Sequence, residues 1–218
     1  SRGLGDVYKR QKLALIIGLP CAVGLFVLAK PILGMLYPRL TEAQLSLAAD
    51  LMHTASIGVI FLSLVQAMTG IIQGLGKPNV PLFNLFIGFI LKVITLVVLT
   101  NIPSINIQGA SISTVICYAF AGIADTAYAV RKAHINMNLW DVILKPVLSS
   151  AVMGAMVYMC FAFMNKLGHV TLGVLLSVTL GVCAYGILAI YLRMFSREEL
   201  NYIPGGRKLK RLIYGSEK

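Results

Sequence analysis

Acidic residues are scarce in this chain: eight Asp and Glu stand against 19 Lys and Arg among 218 residues, and charges of both signs together make up only 12%. A soluble domain of this length carries about twice that charged fraction, so a water-soluble core is excluded. The three His (His53, His134, His169) are scattered near the ends of apolar stretches, which argues against a metal site. No link between those stretches supplies the His, Asp or Glu grouping that a membrane-embedded glycosyl- or acyltransferase would need. Neither enzyme chemistry nor a cofactor is expected. The four cysteines (Cys21, Cys117, Cys160, Cys183) all fall inside apolar stretches with no CxxC or metal-ligand spacing, and read as small hydrophobes. A cleavable signal peptide is not recognisable, because the first apolar stretch is too long and lacks a small-residue cleavage site.

What the chain does have is apolar length. Hydrophobic residues make up 58% of it. Six segments approach the roughly 20 residues needed to cross a bilayer: 13–36, 51–72, 80–102, 107–130, 142–164 and 172–195. The fold class is therefore all-α, a polytopic membrane protein with six transmembrane helices.

The positive charges sort by side. The N-terminal flank, the 73–79 link, the 131–141 link with Lys145, and the tail after the sixth segment together with Arg193 carry fifteen Lys and Arg, whereas the opposite side carries Lys30, Arg39 and Lys166. Lys92 lies near the middle of the third segment. By the positive-inside rule both ends are cytoplasmic. The net charge of +11 needs no nucleic-acid partner, since the basic tail 196–218 is explained as a topology signal lying against anionic headgroups. Residues 1–11 (SRGLGDVYKRQ) break in composition from the remainder of the chain and read as a leader foreign to it, so the chain reads as the C-terminal part of something longer. Without the leader the bias remains twelve to three. The organisation expected is a leader at 1–11, four helices of a transport bundle over 12–131, two peripheral helices over 132–195, and the tail.

Polar residues within a membrane usually turn toward the protein interior. In the third segment Asn84, Gly88, Lys92 and Thr95 share one arc at about 100° per residue, with Phe, Ile and Val around the rest. The second segment places Ser56, Ser63, Gln66, Gly70 and Gln73 together, with Gly70 and Gly74 in small-xxx-small spacing. The fourth aligns Ser111, Thr114, Tyr118, Gly122 and Asp125. Three consecutive helices thus point polar stripes at a common cavity or seam, while the fifth and sixth carry none comparable and read as peripheral. Candidate cavity-lining residues are Lys92, Gln66, Gln73, Asn84, Thr95, Tyr118 and Asp125. Lys92 carries the most weight, because a charge about 18 Å from the cytoplasmic end of its helix is badly placed to snorkel. Asp125, six residues before Arg131, reads as a screened carboxylate near the interface. In the first segment, Gly18, Pro20 and Gly24 (IGLPCAVGL) predict a kink at Pro20.

The run QAMTGIIQGLGKPNVP (66–81), followed by a helix with a central Lys, resembles the multidrug/oligosaccharidyl-lipid/polysaccharide exporter superfamily. GLPCAVGLFVLAKPIL in the first segment and SREELNYIPGGRKLKRLI in the tail resemble its stage V sporulation protein B branch, related to the lipid II flippase. That resemblance implies a fourteen-helix protein of a bacterial cytoplasmic membrane, of which these six would be helices 9–14. It further implies a flippase for lipid-linked sugar diphosphates of the cell wall or surface polysaccharide, working by alternating access with an N-terminal helix bundle absent from this chain. Lys92 would then face the diphosphate. A multidrug or cation antiporter of the same superfamily is the alternative; it would want intramembrane carboxylates, of which Asp125 is the one available.

Overall fold

The structure, a computed structural model, describes residues 2–133, 144–192 and 194. These form seven helices: α1 (Arg2–Val27), α2 (Ala29–Leu36), α3 (Glu42–Gly74), α4 (Asn79–Thr100), α5 (Gln108–Ala133), α6 (Lys145–Lys166) and α7 (Val170–Tyr191), with no strand among the described residues. Five of them are long and apolar enough to cross a membrane, and the bent pair α1–α2 makes a sixth candidate when it is counted as one span. The chain is an all-helical, polytopic membrane protein, and its spans fall on the six apolar segments. The basic tail 196–218 and most of the 131–141 link lie outside the described residues.

The first span is not kinked where its proline predicts. α1 runs through Pro20, and the chain bends instead by 71° between Val27 and Ala29. Pro31 gives the reason. In a continuous helix its ring would clash with the carbonyl of Val27. With Leu28 leaving helical geometry (φ −101°, ψ 14°), Pro31 falls in the first turn of α2, where its missing N–H is not required. The ladder resumes at once, Ile32 N–H donating to the Leu28 carbonyl at 2.9 Å. α3 begins with a capping box: the Thr41 hydroxyl accepts from the Gln44 N–H, and the Gln44 side chain accepts from the Thr41 N–H at 3.0 Å. At 33 residues, α3 is about 50 Å long and outruns the hydrocarbon core. Its far end closes on Gly76, whose φ of +74° only glycine adopts without strain.

The helices pack in a row that does not follow chain order: α4 against α5, α5 against α3, α3 against α1, α1 against α6, and α6 against α7, with α2 folded back on α3. Small residues allow each close approach. Gly18 meets Ser63 between α1 and α3, a Cβ on Gly154 would come within 2.6 Å of Val23, and one on Gly181 within 2.7 Å of Val157. α6 and α7 pack chiefly on each other and, through α6, on α1. Yet the most exposed span is α4, in which Pro81 and Gly88 are the buried residues among 22. Ser149, Ser150 and Ser177 are also buried, so the α6–α7 pair holds small polar residues that a stripe analysis passes over.

Candidate functional site

The polar arc of α4 turns to α5. At its centre Gly88 brings the two backbones together: a Cβ there would sit 3.0 Å from the Cys117 carbonyl oxygen and 3.2 Å from its sulfur. One turn earlier, Asn84 Nδ2 donates to Asp125 Oδ1 at 2.7 Å, joining the helices through side chains 41 positions apart. One turn later, half-buried Lys92 lies within electrostatic reach of the same Cys117 thiol. Among the described residues neither Lys92 nor Asp125 forms an ion pair. About 12 Å of helix separates Asn84 from Lys92, so the seam holds an acid and a base at different depths.

Asp125 is not the screened interfacial carboxylate that its distance from Arg131 suggests. It is 1% exposed, and its Oδ2 has no hydrogen-bond partner among the described residues. The cause is tertiary: α5 is clasped from both sides, α4 covering Asp125 while α3 lies against Gly122, one turn away, where a Cβ would sit 3.4 Å from Phe61 and Leu64. A buried carboxyl with one satisfied oxygen is the least compensated polar group of the seam.

The remaining residues divide. Thr95 faces the seam half-buried, but its hydroxyl donates to its own helix, to the Leu91 carbonyl at 2.7 Å. Tyr118 lines a different space, a cleft of about 310 Å³ between α3 and α5 shared with Gly58, Leu62, Ser111 and Thr114. Gln66 and Gln73 are exposed and join neither, and a Cβ on Gly70 or Gly74 would meet nothing. The three stripes therefore do not converge on one cavity. α5 stands between α3 and α4, using Asp125 toward one neighbour and Tyr118 toward the other. Among the described residues no cluster of His, Cys, Asp or Glu could hold a metal ion.

One participant was hidden by its surroundings. Tyr185, set among apolar residues of α7, donates its hydroxyl to the Ile16 carbonyl of α1 at 2.6 Å. The signal lay elsewhere in the chain, in Pro20, which takes the helical donor away from that same carbonyl.

These features define a polytopic α-helical membrane protein with charged and polar groups held between its helices. Residues 7–98 match the family model described as MatE, a stretch taking in α2, α3 and most of α1 and α4. Over 210 residues the chain is 25% identical to the uncharacterized membrane protein YabM of Bacillus subtilis (strain 168), a match covering 93% of this chain and 37% of that protein. The chain thus spans little over a third of the length of the relative it matches. No solved structure matches it.

Proposed function

We propose that this chain is part of a membrane exporter that moves lipid-linked sugar diphosphates across the cytoplasmic membrane by alternating access. The observation that carries the reading is Lys92. A half-buried ammonium near the middle of a membrane-spanning helix, with no counter-ion among the described residues, needs an anion to offset its cost, and a diphosphate headgroup passing the midplane is such an anion. The match to the MatE family over residues 7–98 supports transport. The broad apolar exposure of α4, with Leu82, Phe83 and Phe86 each more than half exposed, is consistent with a further helix bundle or lipid beside it. Proposed partners are accordingly the lipid-linked substrate, the surrounding lipids and the N-terminal bundle of the parent protein. Both ends are placed in the cytoplasm. Packing of Ile16 near the start of the first span with Ala189 and Met194 at the end of the last supports putting those ends on one side.

A multidrug or cation antiporter is the second reading, and Asp125 favours it: a sealed carboxyl with a free oxygen is what ion coupling requires. Reconstituted parent protein separates the two. Flipping of a fluorescent lipid-linked oligosaccharide that falls with Lys92→Ala supports the first. Cation-driven drug efflux that falls with Asp125→Asn, with no lipid flipping, replaces it with the second.

A further inference from the structure

Pro20 lies inside α1 and has no N–H, so the carbonyl of Ile16, four residues earlier, loses the donor that every neighbouring rung keeps. Ile16 is 1% exposed, which shuts out water as a substitute. An orphan carbonyl in that position is strongly unfavourable within a bilayer. The hydroxyl of Tyr185 fills the vacancy from another helix, 169 residues away in sequence, at 2.6 Å. Its side chain packs against two buried clusters, that of Ile16 and Ala189 at the α1–α7 contact and that of Met153 and Val157 of α6.

We propose that Pro20 and Tyr185 form a latch that holds α1 straight and ties it to the last helix pair. A proline rung is where a helix bends most easily, yet α1 runs through Pro20 and breaks only after Val27. The external hydroxyl accounts for that continuity. Release of the phenol frees α1 to bend at Pro20, and any bend that turns the Ile16 carbonyl away strips Tyr185 of its acceptor. Motion of α1 and the seating of α7 are therefore one coupled event, whatever the transported molecule is.

The test is a double-mutant cycle on the full chain in lipid nanodiscs, comparing parent, Tyr185→Phe, Pro20→Ala and the double variant by hydrogen exchange of α1 and by thermal melting. In Pro20→Ala the backbone supplies its own donor and the phenol becomes dispensable. Tyr185→Phe is expected to speed exchange in α1 by about five-fold or more when Pro20 is present, and to have little effect on exchange or melting once residue 20 is Ala. Rescue of a poorly folding Tyr185→Phe by Pro20→Ala supports the latch equally. Equal changes in both backgrounds, no change in either, or failure of the double variant to fold where Pro20→Ala folds would each overturn it, because the hydroxyl would then act independently of the proline.

Discussion

Lys92 and Asp125 are the base and the acid of the α4–α5 seam, and they make separable demands. Removing the Lys92 charge from mid-membrane eases insertion by about 2.5 kcal/mol on translocon scales. Lys92→Ala in the parent protein is therefore expected to insert at least as well and still lose most of its transport, while Lys92→Arg retains part of it because the charge persists in a different shape. Transport at the parental rate with equal expression would make Lys92 structural. Asp125 depends on Asn84 for its single hydrogen bond. Asn84→Leu strands a buried carboxyl and is expected to cost about 1–3 kcal/mol, with the Asn84→Leu/Asp125→Leu double variant losing less than the sum of the singles. Additive losses in thermal melts would show that the pair is not coupled. Sequence made Lys92 conspicuous because a charge in an apolar run needs no neighbour to be noticed. It misjudged Asp125, because distance along the chain to Arg131 says nothing about which helices close over the carboxyl.

At the scale of the helices, glycine has two meanings that only packing separates. Gly88 lies against the Cys117 backbone, whereas Gly70 and Gly74 meet nothing within 4 Å. Gly88→Ala is expected to destabilise by about 1–3 kcal/mol through overpacking against a carbonyl that cannot swing aside. Gly70→Ala and Gly74→Ala are expected to be neutral or to gain up to about 1 kcal/mol in helix propensity. Thermal melts of the three variants that ranked them in the reverse order would contradict the packing described. The prolines divide likewise. Both remove a donor, but the carbonyl orphaned by Pro20 finds the Tyr185 hydroxyl, and the helix continues. Near Pro31 the chain turns by 71° instead.

Across the whole molecule, membrane topology follows from arithmetic on charge. If both ends lie on the cytoplasmic side as proposed, a cysteine at position 40, in the turn between α2 and α3, should label with a membrane-impermeant maleimide from outside cells. One at position 135, beyond α5 and outside the described residues, should label only after permeabilisation. The reverse pattern would invert the orientation of every helix. The row order α4, α5, α3, α1, α6, α7 then decides what each span faces, and it leaves α4 at one edge with its apolar side open.

The amino-acid sequence by itself determined that the chain is a polytopic membrane protein and where its candidate spans fall, because hydrocarbon admits only long apolar helices and punishes every isolated charge locally. It also determined that α4 carries one polar arc, since helical periodicity converts spacing directly into angle. Which arcs meet was decided only by the tertiary structure. Seating α5 between α3 and α4 sealed Asp125 against Asn84, left Gln66 and Gln73 outside, and sent Tyr118 to a separate cleft. The partner of the Ile16 carbonyl was likewise settled by packing, since an orphan acceptor announces a need that any donor brought close enough can meet.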